Sequence, residues 1–208
     1  MRGQRFLRFR AYTTAMSSIG RPAVAFLLVA SSLAAVPAMA DTWTTDPVHS
    51  KVALAASYVL VSKLNMTLPI ASGTIETDGN AWTRPTHVEL HFESAELTTG
   101  NAKRDADLRS DRFFDTARYP EIIFVSDQVV ETKPGEFIVH GELSMHGVTR
   151  ELDLRGRAFD ERRQPDGKRH VHYEAVGSFA RSDYGMTYAK GFVGNELNLD
   201  VTIEALSD

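Results

Sequence analysis

Three groups of residues have the types and spacing to do chemistry. His170 and His172 flank Val171, and His87 pairs with His91, so paired imidazoles on one side of a strand are candidate zinc or copper ligands. Asp46, His49 and Ser50 list an orienting acid, a base and a nucleophile. Asn65-Met66-Thr67 fits the glycosylation tripeptide, which is common by chance. Each group has a plainer reading. In a strand, His170 and His172 fall in the polar phase opposite Val171 and Tyr173, and no carboxylate or cysteine cluster at ligand spacing accompanies them. No metal site is assigned. Asp and Ser at a strand entrance more often turn the backbone than catalyse. The chain has no cysteine, no G-x-S-x-G elbow, no H-E-x-x-H and no G-x-x-x-x-G-K-[ST]. Thiol catalysis, Cys-ligated zinc and iron–sulfur clusters are excluded, no catalytic residue is assigned, and the chain is expected not to be an enzyme.

The first forty residues specify a compartment instead. Arg2, Arg5, Arg8, Arg10 and Arg21 precede any acidic residue, an apolar run from Ala23 weakens towards Val36, and Ala38-Met39-Ala40 closes it. Basic lead, short apolar run and small-x-small site make a secretory signal peptide over 1–40, cleaved after Ala40. The apolar run, about 14 residues, is short of the roughly 20 that span a bilayer. Met16 offers a second start, giving a leader of 25 residues. The expected location is therefore periplasmic or secreted. The whole chain carries −4, and without the five leader arginines −4 − 5 gives −9. Such a surface disfavours nucleic acid and limits dwell on anionic membranes. Residues 41–208 suffice for one domain, and without disulfides burial alone must hold it.

The elements that would position any site alternate at period two. Leu90 and Phe92 alternate with Glu89, His91 and Glu93; Phe137, Val139, Leu143 and Met145 alternate with Glu136, His140, Glu142 and Ser144. Leu152 and Leu154, and then Leu197, Leu199, Val201 and Ile203, repeat the pattern. Such strands have one apolar and one wet face, the mark of antiparallel sheets. Turn-like breaks such as Thr77-Asp78-Gly79-Asn80 and Lys133-Pro134-Gly135 leave about eight strands, near 42–60, 71–77, 86–94, 121–131, 136–145, 149–160, 170–182 and 194–206. An all-β sandwich or up-and-down barrel follows. Gly141, Gly156 and Gly177 lie inside strands, where glycine marks a bulge or bend. Asn101 to Asp115 reads as a short helix capped by Asn101, with Arg104, Asp105, Arg109 and Asp115 as ion-pair scaffolding.

Thr99-Gly-Asn-Ala-Lys-Arg-Asp-Ala-Asp-Leu-Arg-Ser-Asp-Arg-Phe-Phe-Asp115 resembles the T-x-N-x-x-R-D-x-H-L-R-S-x-D-F-F-D signature of YceI-like proteins. Tyr119-Pro120, Ile122-Ile123-Phe124, Gly141-Glu142-Leu143-Ser144-Met145-His146-Gly147-Val148-Thr149-Arg150, Arg181-Ser182-Asp183-Tyr184-Gly185 and Val193-Gly194-Asn195-Glu196-Leu197 follow in the family's order. The resemblance covers the mature chain. It implies a lipocalin-like antiparallel up-and-down β-barrel of about eight strands, with a short capping helix, holding an isoprenoid or similar amphiphilic lipid. Departures concern the pocket: Leu54 and Ala56 replace larger residues, Tyr58 stands for a histidine, Met66 for a glycine, and Asp107 for another histidine. A reshaped pocket is the expectation.

On that reading Leu54, Tyr58, Met66, Leu90, Phe92, Phe113, Phe114, Phe124, Met145, His146, Phe179, Tyr184, Met186 and Phe192 are the candidate ligand-binding residues. Tyr58 and His146 are the first choices for a head group, although His146 fits better as an organiser of its own turn. Without the resemblance the same aromatics would equally fill a solid core; with it, a tunnel is expected. The implied partner is a long-chain lipid, with no other cofactor, no nucleic acid, at most transient membrane contact, and homodimerisation open. The alternative is a non-enzymatic interaction protein for a cytochrome-type membrane partner.

Overall fold

Period-two alternation produces strands, and the computed structural model, which describes residues 40–58, 62–79, 81–165 and 167–207, contains β1 (Asp41–Thr45), β2 (Lys51–Tyr58), β3 (Ser62–Pro69), β4 (Ser72–Asp78), β5 (Ala81–Glu93), β6 (Glu121–Lys133), β7 (Glu136–Met145), β8 (Val148–Arg163), β9 (Arg169–Ala180) and β10 (Val193–Ser207). The expected leader and the Met16 start lie outside the described residues, apart from Ala40. Successive pairings run β1-β4-β5-β6-β7-β8-β9-β10, all antiparallel, and β10 returns to β1 through Thr44↔Leu206 and Thr45↔Ala205. The eight-membered ring is closed, which removes its sheet edges.

Two expected elements differ. The strand placed over 42–60 is broken into β1 and β2, because Pro47 has no N–H to give and the Asp46 carboxylate turns the chain by accepting from Val48 N at 2.9 Å. Ser50 bridges the gap: its Oγ accepts from Glu204 N (3.0 Å) and donates to Glu204 O (3.2 Å), in place of a backbone ladder. β2 then continues along β10, with Val52 opposite Val201 and Leu54 opposite Leu199. The second difference is β3, an unanticipated partner of β2 in which Leu64, Met66 and Leu68 face inward. Asp46, His49 and Ser50 thus serve the backbone. The Ser50 proton goes to a carbonyl, and His49 Nδ1 pairs with Asp46 at 2.7 Å in the open.

The strand glycines also resolve differently. Gly141 does face a register shift, between Ser126 and Gln128 on β6. Gly156 and Gly177 instead make room: a Cβ on Gly156 would sit 2.1 Å from Phe137 Cε2, and one on Gly177 2.6 Å from Leu154 Cδ2. These backbones let large side chains lie across the interior.

Helix α1 (Ala102–Arg109) starts where expected, with Asn101 Oδ1 accepting from Arg104 N at 3.1 Å. The ion-pair scaffold does not form among the described residues. Asp105 accepts from Thr99 N (2.8 Å), Thr99 Oγ1 (2.5 Å) and Thr98 Oγ1 (2.9 Å), while Arg109 donates to Leu97 O (3.1 Å). The Thr99 hydroxyl, opposed by burial and assisted by the other donors, holds the Asp105 carboxyl below its ordinary value. Backbone and hydroxyl donors fix α1 to the barrel, and Leu97, Leu108, Phe113 and Phe114 bury its apolar side. At the far end Trp43 is fully buried, with Arg169 4.6 Å from its ring centroid and paired to Asp41 and Glu161.

Candidate functional site

On each strand the inward phase meets the inward phases of the others. Beneath α1 lies a cavity of about 50 Å³ whose lining is wholly apolar, including Leu54, Phe92, Leu97, Phe114, Ile122, Met145 and Phe179. A second cavity of about 30 Å³ continues towards the far end, against Ile75, Phe137, Val139, Tyr173 and Ile203. Leu90, Phe124, Leu154 and Val201 belong to both walls. Since a water needs about 10–15 Å³ on this measure, the interior is a pair of narrow slots meeting at a waist, tighter than the tunnel expected. An apolar chain entering must press Leu and Phe side chains aside. No charged or polar residue lines the cavity under α1, so only dispersion and desolvation operate there.

A much larger concavity, about 1110 Å³, lies on the outer wall across β7–β10, β2 and β3. Glu151, Asp153, Glu196 and Asp200 line it, and it is open to solvent. Size alone would favour it, but its walls cannot shield an apolar chain, so the interior is the candidate site.

The candidate residues other than His146 divide into three sets. Leu54, Leu90, Phe92, Phe114, Phe124, Met145 and Phe179 line the cavity under α1. Met66, Phe113, Tyr184 and Met186 are buried without lining either cavity, Met66 standing opposite Leu54. Tyr58 and Phe192 lie on the rim, 46% and 66% exposed. Tyr58 keeps the inward phase of Val52, Leu54 and Ala56 but passes the end of the ring; Phe192 lies in the turn that precedes β10. His146 occupies the β7–β8 turn with φ 53, followed by Gly147 at φ 76, the two positive values of a tight hairpin. Its Nδ1 lies 2.8 Å from Tyr184 O and its ring 4.8 Å from that of Tyr119. Val52, Leu68, Leu97, Ile122, Leu143, Leu152, Leu154, Leu199 and Val201 also line the interior and were not nominated. Strand phase alone would have found most of them.

The connection after β9 supplies the polar groups nearest the site. Arg181, buried, donates to Gly194 O (3.0 Å), Met186 O (2.7 Å) and Val193 O (3.1 Å), and burial pulls its pKa down. It clamps the segment that carries Tyr184. The Tyr184 ring packs edge-on to Phe179, centroids 5.2 Å apart, and Phe179 is in the cavity wall. Its hydroxyl is buried with no hydrogen-bond partner among the described residues, and burial pushes its pKa up to about 12. A buried donor left unpaired costs about 1–3 kcal/mol. It is a neutral O–H outside both cavity walls, with the Phe179 ring between its own ring and the cavity under α1.

The histidines serve the surface. Burial opposes the charged form of His172, but Glu204 at 2.7 Å and Glu174 at 3.3 Å raise its pKa. His87 contacts Ser126, His91 contacts Glu89, and His140 contacts Asp153. Among the described residues no group of three His, Cys, Asp or Glu side chains could hold a metal ion.

A family model described as YceI-like domain matches residues 43–205. The chain is similar to a UPF0312 protein of Pseudomonas syringae pv. tomato, 29% identical over 88% of this chain and 95% of that protein. It is also similar to one of Shewanella denitrificans, 29% identical over 57% of this chain and only 62% of the other. Among solved structures, the Campylobacter jejuni YCEI protein superposes with a TM-score of 0.65 at 22% identity, covering 73% of this chain and 90% of that one. A polyisoprenoid binding domain from Saccharophagus degradans superposes at 0.57 and 14% identity, covering 80% and 98%.

Proposed function

The chain belongs to the YceI-like family, and we propose that it is a periplasmic carrier or binding protein for a polyisoprenoid or similar long-chain amphiphile held inside the barrel. The observation that carries this reading is the wholly apolar lining beneath α1, which leads past the waist into a second slot where Glu174 is the one charged residue of the wall. Binding draws on desolvation, about 0.8 kcal/mol for each CH₂ buried. A head-group oxygen that displaces the Phe179 ring would meet the unpaired Tyr184 hydroxyl packed against it. The polyisoprenoid-binding description of the Saccharophagus degradans domain and the leader pattern of residues 1–40 support the ligand class and the compartment respectively. Nothing in the site requires bond-making, and the reading is of a binder without catalysis.

Titration with a fluorescent polyene fatty chain tests it. A saturable rise in emission at one probe per protein, reversed by a long isoprenoid alcohol, is the expected result. No rise, or a linear one, overturns the reading.

A further inference from the structure

Charge is distributed unevenly over this molecule. Of its 23 Lys and Arg residues five are in the leader, leaving 18 against 27 carboxylates. The linings of two concavities at the α1 end reverse that balance, although exposed Asp111 and Asp183 stand beside them and Arg181 is buried. The two measure about 450 and 630 Å³, one lined by Ser57 and the other by the adjacent Tyr58. Their charged lining is Arg181 and Lys190 in one, and Lys103, Arg104 and Arg112 with the single carboxylate Asp107 in the other. The outer-wall concavity is the opposite, with Arg155 against four acids. Asp107 pairs with Arg112, while Lys103 and Lys190 are exposed and in no ion pair among the described residues.

Large apolar side chains stand on the same rim. Phe192 is 66% exposed, Tyr58 46% and Tyr188 45%. Tyr58 is opposite Val193, which follows Phe192, and Tyr188 is held edge-on by Phe113 at 5.3 Å with Arg112 over its face at 5.1 Å. The other exposed large apolar residues, Val48, Val130, Phe159 and Val176, are scattered elsewhere on the chain. Two tyrosines with an apolar body and a polar tip and one wholly apolar phenylalanine, set among lysines and arginines, match the interface of an anionic bilayer. The larger interior cavity is under this same end.

We propose that the rim formed by Tyr58, Tyr188 and Phe192 with Lys103, Arg104 and Lys190 docks the barrel, α1 end first, on an anionic lipid membrane. The inference rests on the carrier reading, since docking there brings the cavity to a lipid source. The acidic remainder faces away from the membrane and keeps contact brief.

Flotation of the protein as it accumulates in the cell, with vesicles of phosphatidylcholine alone or with an equal part of phosphatidylglycerol, tests the rim. Binding is expected only to the anionic vesicles, weakening as salt is raised. Lys103→Gln with Lys190→Gln should weaken it about 30-fold, at about 1 kcal/mol per lysine. Phe192→Ser should weaken it about tenfold through lost apolar contact. Glu151→Gln with Asp200→Asn, on the outer wall, should leave it within about threefold, the change expected of distant, screened charge. Equal binding to both vesicles, no binding, or indifference to the lysine pair overturns the proposal. Uptake of the polyene probe from cyclodextrin, without vesicles, separates the two claims. The lysine variant should take it up normally; if it does not, the rim belongs to chain binding and docking is overturned. If the unaltered protein takes up none, the carrier reading fails whatever the vesicles show.

Discussion

Replacing Phe124 by alanine separates a barrel built to hold a chain from one that is merely full. The ring is buried at the waist, in the walls of both the 50 Å³ and the 30 Å³ cavities. Removing it joins them, and the neighbours Leu90, Leu154 and Val201 are held by ladders that limit collapse. A Phe→Ala change of this kind costs about 3–5 kcal/mol, with about 24 cal/mol for each Å³ of cavity left. For a domain of this size that lowers Tm by roughly 6–20 °C. A ligand that occupies the joined space reverses much of the loss, since binding at about 100 times Kd returns about 2.7 kcal/mol. The assay is thermal unfolding of the Phe124→Ala protein, stripped of lipid, with and without a long isoprenoid alcohol. The account predicts a larger ligand-induced rise in the variant than in the unaltered protein. A destabilised variant that long-chain ligands leave untouched would mean that Phe124 only fills a core, and would refute the reasoning.

Three further outcomes follow from named side chains. Tyr184→Phe removes a buried, unpaired hydroxyl, so stability in urea should rise by about 1–3 kcal/mol, while ligands with a head-group oxygen bind more weakly and plain alkanes do not; equal loss for both ligand types would count against it. Arg181→Met strips three carbonyls of charge-assisted donors and should cost at least about 3 kcal/mol in urea unfolding, and a change under about 1 kcal/mol would show the clamp to be idle. The Asp105 pKa is lowered by folding, so its contribution is present above the unfolded value of about 4 and is lost as pH falls through the lower folded one. Amide exchange around α1 should therefore quicken in acid in the native protein and lose that dependence in Asp105→Asn; identical pH profiles would remove Asp105 as the tether.

Much of the barrel was legible because its strands are wet on one face. Leu197, Leu199, Val201 and Ile203 announce their phase, and all are buried. β3 carries the same signal in Leu64, Met66 and Leu68, but eight residues beside a break are easily absorbed into a loop. Pro47 and the Asp46 turn divide the first strand and are local signals, but the Ser50 bridge to Glu204, 154 residues away, is one that local pattern cannot show. For the site, phase identified the walls at Leu90, Phe92 and Phe124 yet could not tell where the ring ends, so Tyr58 falls on the rim. Residue type could not separate Phe192 from Phe179, because only the distance from the strand end does so. Nothing in the sequence shows Arg181 to be a clamp, because its acceptors are carbonyls, and carbonyls leave no mark there. Asn101 marks where the helix starts, but it ends at Arg109, and 110–114, expected to be helical, are bend and turns; its charges satisfy backbone and hydroxyl groups in place of one another.

The central claim, one long apolar chain inside the barrel, is tested most directly by native mass spectrometry of the protein purified without detergent, followed by organic extraction and identification of what is released. The account predicts a single adduct of lipid mass per protein, recovered as a long-chain amphiphile. It also predicts that a stripped sample regains such an adduct on incubation with isoprenoids. A bare protein mass that persists after incubation with isoprenoid, quinone and fatty-acid panels would contradict it.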